Sequence, residues 1–131
     1  MDIKTAKKRI DAVRGQFKQN KIQAFLVVSV ENVRYLTGFT GHDSWVLILP
    51  KQTILITDSL YTEQARGECA GCKIFERKGA LTKAVADFIA KAGRVRVMGI
   101  EDECSVTTFN MVKKTQKPKV VALKSFVDQL R

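Results

Sequence analysis

Three cysteines and one histidine are the side chains best suited to redox chemistry or metal binding in this 131-residue chain. Cys69 and Cys72 form a C-x-x-C pair, but the pair follows a predicted helix and precedes a predicted strand. A redox pair is activated at the other end of a helix, the N-terminus, where the helix dipole lowers a thiol pKa. A zinc site commonly has four ligands, and only Cys104 and His42 remain, far apart in sequence. The pattern therefore predicts that the cysteines are incidental and that there is no metal site. Because their number is odd, we expect the thiols to be reduced.

The chain also lacks the short motifs of common hydrolases and nucleotide-binding enzymes. There is no H-E-x-x-H helix, no G-x-S-x-G elbow and no P-loop. The carboxylates are expected mostly on helix surfaces and turns, so they do not form a convergent ligand set. We therefore expect no catalytic residue, no metal ligand and no cofactor in this chain.

A second kind of chemistry, recognition by a shaped loop, is indicated by residues 32–41, N-V-R-Y-L-T-G-F-T-G. The two glycines permit positive φ or a close approach to another segment. Arg34 offers a planar donor fork to a carboxylate or to loop carbonyls. Tyr35 and Phe39 supply apolar area, and Tyr35 adds a hydroxyl.

Asp58 ends a predicted strand and opens a predicted helix, where its charge suits the helix dipole. For Asn32, Arg34 and Asp58 two interpretations stay open. These residues either fix a sharp loop against the sheet or contact a partner directly.

The net charge is +10, from 23 basic and 13 acidic residues. The basic residues are spread along the whole chain, without the interleaved aromatic residues of a single-strand-binding surface. We interpret the surplus as a solvated, lysine-rich surface, which makes nucleic acid an unlikely partner. No apolar run approaches the ~20 residues of a membrane helix, and the start lacks the apolar core of a secretory signal, so no membrane contact and a cytoplasmic location are expected.

Strands and helices alternate in the hydrophobic pattern. Residues 24–28 are continuously apolar, as in a strand covered on both faces, and residues 44–49 and 53–57 form a predicted hairpin. Further short strands are predicted at 73–76, 95–100 and 120–123. The order predicts one α/β domain over residues 1–131, with three layers: a mixed, largely parallel sheet of about six strands with helices on both faces.

The helix predictions depend on apolar spacing and capping residues. An opening helix with an apolar stripe from Ile3 to Phe17 is predicted to end at Asn20. A turn or short helix is predicted at residues 31–36, before the glycine-bearing residues 37–41. The later predicted helices are residues 60–68 with Ser59 as N-cap, 80–92 ended by Gly93, and 105–115 capped by Ser105. The last of these should turn Val106, Phe109 and Val112 inward, and another helix is predicted to begin at Ser125.

Several motifs, in order and at matching spacing, resemble the creatinase/prolidase N-terminal domain family of Xaa-Pro aminopeptidases and dipeptidases. The loop of residues 32–41 is followed by W-V-L-I-L (45–49), I-L-I-T-D (54–58) and Y-x-x-Q-A (61–65). Lys8-Arg9-Ile10 and residues 126–131 extend the match toward both ends, so it covers nearly the whole chain.

The resemblance implies the creatinase N-terminal fold, with its ribonuclease H-like motif, and a role as the non-catalytic front domain of a proline-specific metallopeptidase. A pita-bread catalytic domain would follow residue 131 and bind two divalent metal ions, manganese, cobalt or zinc. The front domain would contribute to a homodimer or higher oligomer and to the wall of the active site, and the parent would act on proline-containing peptides. By resemblance, the substrate-pocket or interface residues are Arg34, Tyr35, Phe39, His42, Asp43, Trp45, Asp58 and Tyr61.

Two positions depart from the family pattern. His42 stands where the family more often has a small residue, and Leu60 replaces an arginine. Two alternatives stay open: a stand-alone or pseudo-enzyme module that binds peptides or proteins, and the front domain of a creatinase-like amidinohydrolase.

Overall fold

The computed structural model describes all 131 residues. The chain forms a six-stranded mixed sheet between two helical layers. The elements in chain order are α1 (Ile3–Arg14), β1 (Ala24–Val27), α2 (Val30–Thr37), β2 (Trp45–Ile48), β3 (Thr53–Thr57), α3 (Thr62–Glu68), β4 (Lys73–Glu76), α4 (Leu81–Ala92), β5 (Val97–Glu101), α5 (Val106–Thr115) and β6 (Lys119–Leu123). A 3₁₀ turn, Asp128–Leu130, ends the chain. The predicted fold class, including the layers and the number of strands, is confirmed. None of the helices combines the length and the apolar character needed to span a membrane.

The strand order is β4-β3-β2-β1-β5-β6. The pairs β1–β5, β5–β6 and β3–β4 are parallel, while β2 is antiparallel to both of its neighbours, β1 and β3. Five strands therefore share one direction, and β2 alone runs against them. We call the edge where these five strands end, and where β2 begins, the carboxyl edge, and the opposite one the amino edge.

The core has two halves because successive strand residues point to opposite faces of the sheet. Phe25 and Val27 pack with α1, α2, α3 and the C-terminal segment. Ala24 and Leu26 pack with α4 and α5. All four residues of β1 are buried, which confirms the prediction of a strand covered on both faces.

The opening helix is shorter than its apolar stripe predicts. Regular α-helix ends at Arg14, and the chain then tightens, with Gln16 N–H donating to Val13 C=O and Phe17 N–H to Arg14 C=O. Phe17 is nevertheless buried, because these tight turns keep it in line with the stripe. The predicted end at Asn20 was wrong.

Three other helix predictions are corrected. α3 begins at Thr62 with Tyr61 at its N-cap position, so Ser59 does not cap it. Ser105 does cap α5, its hydroxyl accepting from Thr108 N–H, but Val106 faces solvent with 75% exposure. The segment from Ser125 forms turns and the short 3₁₀ element rather than an α-helix.

Candidate functional site

The carboxyl edge gathers most of the polar residues that the sequence indicated. In open α/β sheets, ligands commonly bind outside the carboxyl ends of the strands, which makes this edge the candidate site. Its features are a buried polar cluster at the ends of β1 and β5, a glycine-shaped loop before β2, and the turn after β3.

Glu101 is the centre of the buried cluster. This carboxylate is only 1% exposed and ends β5 beside the end of β1. It accepts hydrogen bonds from Val28 N–H at 2.7 Å, from Ser29 N–H at 2.9 Å and from the Ser29 hydroxyl at 3.0 Å. Asn32 Nδ2 donates to it at 2.5 Å, and Arg131 donates to Asn32 Oδ1. Asn32 therefore ties α2 to β5 and to the C-terminus.

Sequence reasoning missed Glu101. The available signal was a carboxylate closing the otherwise apolar strand V-M-G-I-E. A buried charge needs partners, and the start of α2 supplies them only after β1 and β5 pair.

The glycine loop is shaped by aromatic packing. Phe39 is fully buried, and its ring meets that of Tyr61 edge to face, with centroids 6.0 Å apart. A Cβ atom at Gly41 would lie 2.3 Å from Phe39 Cζ and 2.8 Å from Tyr61 Cδ1. Gly38 ends α2 at φ +84°. The two glycines thus serve different needs, positive φ at Gly38 and close approach at Gly41.

A polar clamp holds the same loop to α3. Glu68 accepts from Thr40 N–H at 2.9 Å and from Gln64 Nε2 at 3.1 Å, and it also accepts from the Thr40 hydroxyl. The Thr40 N–H bond, with the side-chain bonds from Gln64 and Thr40, lowers the pKa of the Glu68 carboxyl. This clamp accounts for Gln64 in the Y-x-x-Q-A motif.

His42 and Asp43 form the exposed tip of the loop before β2. Asp43 has φ +53°, a left-handed conformation that aspartate tolerates better than most residues. Ser44 fixes the tip, since its hydroxyl donates to His42 C=O at 2.9 Å and shares a 2.8 Å hydrogen bond with the Thr57 hydroxyl. His42 and Asp43 are thus held on a rigid support and face solvent.

Asp58 follows β3 in a tight turn. One carboxylate oxygen accepts from Leu60 N–H at 3.1 Å, and the other lies 3.5 Å from the Arg77 guanidinium. Leu60, which replaces the family arginine, is 77% exposed. The observed contacts of Asp58 are those of a turn former joined to the end of β4.

Arg34 and Tyr35 lie on α2, before the glycine loop. Tyr35 is covered by two guanidinium groups, Arg9 at 4.2 Å and Arg131 at 5.0 Å from the ring centroid. Arg9 also donates to Tyr35 C=O at 2.7 Å. Arg34 is exposed in the last turn of α2.

The structure thus divides the eight predicted site residues into separate groups. Phe39 and Tyr61 are in contact with each other, and His42 and Asp43 share the loop tip. Trp45 lies apart, because its side chain belongs to the core half formed by α4 and α5, whereas Phe39 belongs to the other half. The eight residues do not line a single pocket.

The C-x-x-C pair lies between α3 and β4, with both thiols free. The hydrogen bond between them lowers the pKa of Cys69 and raises that of Cys72, which burial raises further. Burial, with the nearby Glu101 and Asp102 charges, raises the pKa of Cys104. No group of three or more His, Cys, Asp or Glu side chains is placed to hold a metal ion.

The carboxyl edge also carries exposed apolar side chains. Val30 opens α2, Leu60 lies after β3 and Val106 opens α5, with exposures of 37%, 77% and 75%. Their placement leaves apolar area around the loop tip and the buried cluster.

Comparisons with known proteins agree with the motif series. A sequence model of the creatinase/prolidase N-terminal domain matches residues 9–131. A Bacillus subtilis (strain 168) protein named uncharacterized peptidase YqhT is 37% identical over 93 residues, which are 71% of this chain and 26% of that protein.

Solved structures show the same fold. An Xaa-Pro dipeptidase from Bacillus anthracis aligns with a TM-score of 0.90 and 28% identity, over 96% of this chain and 36% of that one. A Streptococcus pyogenes chain described as an Xaa-Pro aminopeptidase aligns at 0.87 with 31% identity, over 97% of this chain and 98% of that one. The chain thus spans about a quarter of its curated relative and about a third of the dipeptidase.

The family match covers nearly all of the chain, and the glycine loop, the Gln64 clamp and the Asp58 turn give its motifs structural roles. The chain belongs to the creatinase/prolidase N-terminal domain family.

Proposed function

We propose that this chain is the non-catalytic amino-terminal domain of an Xaa-Pro dipeptidase or aminopeptidase. The observation that carries the proposal is the alignment of 96% of the chain with only 36% of the Bacillus anthracis Xaa-Pro dipeptidase. The remainder of such a protein would supply the metal ions and the residues that cleave the peptide bond.

The carboxyl edge is the surface proposed to meet the catalytic domain or a second subunit. Val30, Leu60 and Val106 expose apolar area there, and His42 and Asp43 project from a loop that Ser44 and the Phe39–Tyr61 contact hold in place. Burying the apolar side chains would stabilise the contact by roughly 25 cal/mol per Å² of area removed from water. In this arrangement the loop tip would form part of the substrate-pocket wall and of an oligomer interface.

The first test is the size of the native protein. An antibody raised against this chain should detect, in source-cell lysate, a protein much larger than the chain's 14.7 kDa. A single band at 14.7 kDa would instead favour a free-standing binding module.

The second test is activity. The full-length protein is expected to hydrolyse Xaa-Pro dipeptides or peptides when supplied with manganese, cobalt or zinc, and to lose activity with a chelator. The 131-residue chain alone should be inactive under the same conditions. Hydrolysis by the chain alone would contradict the non-catalytic role, and hydrolysis of creatine but not of proline peptides would point to an amidinohydrolase parent.

The contribution of the loop tip can be measured separately. Replacing His42 with Ser in the full-length protein should change the KM for proline peptides while leaving the unfolding midpoint unchanged, because the His42 side chain is exposed. Lys18→Gln, an exposed change in the segment before β1 at the opposite, amino edge, is the matched control. Identical kinetics for all three proteins would exclude His42 from the pocket wall.

A further inference from the structure

The basic residues that look scattered in the sequence are collected by the fold on the amino edge. Five segments lead into the strands there: residues 15–23, 49–53, 69–73, 93–97 and 116–119. Together they hold eight Lys or Arg residues and no Asp or Glu. Asp11 of α1 lines a cleft with Lys51 at this edge, but its carboxylate is paired with Arg14 at 2.7 Å, so the unpaired charge of the edge is positive. We use the name basic edge for Lys21, Lys51, Arg94, Arg96, Lys117 and Lys119.

All six of these side chains are exposed. The five ion pairs of the molecule involve Arg14, Arg66, Arg77, Lys83 and Arg131 as their cations, and none of them belongs to the basic edge. The charge of the edge is therefore not neutralised within the chain and is available to an external anion.

The six residues lie on adjoining segments of the amino edge. Lys51 and Arg94 line one open cleft of about 600 Å³, together with Gln23. Gln23 Oε1 accepts from Arg96 N–H at 2.9 Å, and Lys119 N–H donates to Arg96 C=O at 3.0 Å. The edge thus continues from the β2–β3 turn past β1 and β5 to β6.

Two more lysines extend the charge toward β4. The ammonium groups of Lys73 and Lys91 lie 5.6 Å and 5.8 Å from the centroid of the Phe88 ring. With strands about 4.8 Å apart, six strands give a cationic row roughly 24 Å long. Along the same distance a nucleic acid duplex presents about 14 phosphate charges.

Two of the cations occupy backbone positions where glycine would be less strained. Lys21 has φ +56° and Arg94 has φ +58°, the left-handed region that disfavours residues with a Cβ atom. A long basic side chain is present at both turns despite that cost.

The composition of the edge favours phosphate over a protein partner. Cores of protein–protein interfaces are rich in aromatic and apolar residues and poor in lysine. The exposed apolar residues Val30, Leu60 and Val106 lie at the opposite, carboxyl edge. The five amino-edge segments contain one aromatic residue, Phe17, and it is buried, so the stacking platform of a single-strand binder is absent there.

We propose that the basic edge binds the phosphate backbone of double-stranded nucleic acid without sequence preference. Binding uses charge and the length of the edge, since no side chain is placed to distinguish bases. This activity is independent of the proposed peptidase role, which concerns the other edge of the sheet.

The test is a fluorescence anisotropy titration of a labelled 24-base-pair DNA duplex of arbitrary sequence with the 131-residue chain, between 50 and 200 mM salt. If the six cations each contact a phosphate, the logarithm of the affinity should fall with the logarithm of salt concentration with a slope of about −5. Absence of binding at 50 mM salt would overturn the proposal.

Matched variants locate the binding surface. The double variant Lys117→Gln/Lys119→Gln should lose about tenfold or more in affinity at 50 mM salt and reduce the slope by about 2. Lys78→Gln/Lys124→Gln removes the same charge from exposed lysines beyond the ends of β4 and β6, and should change affinity less than about twofold. Equal losses in the two double variants would show that net charge, and not this edge, causes the binding.

A third variant separates binding from folding. Lys21→Gly/Arg94→Gly removes two charges at left-handed positions that glycine adopts without strain, so the fold should be retained while affinity falls. Labelled poly-glutamate is titrated in parallel. If poly-glutamate binds as tightly as the duplex, the partner is an acidic protein segment and the nucleic acid proposal is wrong.

Discussion

Asn32 joins three parts of the chain through one buried amide. It donates to the buried Glu101 carboxylate and accepts from Arg131, while its own N–H is held by the Ser29 cap of α2. A motif residue of this kind has a structural role whether or not it also contacts a partner.

The Asn32→Ala variant should therefore be less stable. Glu101 keeps its bonds from Val28 and Ser29 but loses one donor in a dry environment, which we expect to cost about 1–3 kcal/mol of unfolding free energy. Urea denaturation measures the change, and Asn110→Ala, an exposed change on α5, should lose no more than about 0.5 kcal/mol. A loss as small as that of Asn110→Ala would mean that water replaces the amide.

Gly41 gives a second prediction at a single residue. A methyl group there would overlap Phe39 and Tyr61, so Gly41→Ala should cost about 1–3 kcal/mol or displace the loop. Gly67→Ala is the control, because Gly67 is exposed within α3 with no atom within 4 Å of an added Cβ. Its replacement should be neutral or stabilise by up to about 1 kcal/mol. Urea midpoints of the two variants test the contrast, and a stable Gly41→Ala protein would show that the rings can move apart.

At the scale of helices and strands, the sequence predicts an element best where a single local feature, such as an apolar run or a capping residue, determines it. The strands were predicted from short apolar runs. α4 ends at Gly93, the residue predicted as its C-cap, and α5 begins after Ser105, the residue predicted as its N-cap. The start of α3 was mistaken because Asp58, rather than Ser59, binds the turn that precedes it. Val106 was placed inward by spacing, but it stands at the first helical residue, beyond the end of the sheet.

Two serines predicted as N-caps allow a direct test of this difference. Ser105→Ala removes the hydroxyl that accepts from Thr108 N–H at 3.0 Å and should destabilise the protein by about 1 kcal/mol. Ser59→Ala removes no cap and should change stability by less than about 0.5 kcal/mol. Thermal or urea unfolding of both variants is sufficient, and an equal loss would indicate that Ser59 also stabilises its turn.

At the scale of the whole molecule, features that depend on strand order were not predictable from the sequence. Glu101 meets Asn32 only because β1 pairs with β5, about 70 residues away. The basic edge has the same origin, since its six cations come from four separate segments. The charged residues and the helices and strands could be predicted from the sequence. Which of them lie next to each other depends on the order of the strands in the sheet.

The contacts of Glu103 with Asp102 and Asp128 are expected to make the stability of the protein depend on pH. Partial removal from water and hydrogen bonds with Asp102 and Asp128 raise the pKa of Glu103 to about 7. The unfolded chain would lose this proton near pH 4.3. Between these values the folded state retains the proton and the unfolded state does not, so stability contributed by this group is lost as pH rises toward 7.

Glu103→Gln should remove this contribution. The unfolding free energy of the variant minus that of the native chain should be larger at pH 7.5 than at pH 5. The change should be small because Glu103 is largely exposed. Urea midpoints of both proteins at the two pH values give the double difference, in which other groups cancel. The same difference at both pH values would show that Glu103 titrates as in the unfolded chain.

Both ends of the chain lie beside Tyr35. Met1 lines the cleft next to its ring, and the Arg131 guanidinium covers that ring. A fluorophore, tag or fused protein attached at either terminus would therefore extend from the α2 side of the molecule. The β2–β3 turn with Lys51 would stay uncovered, so immobilisation through either end is suited to presenting the amino edge on a sensor surface.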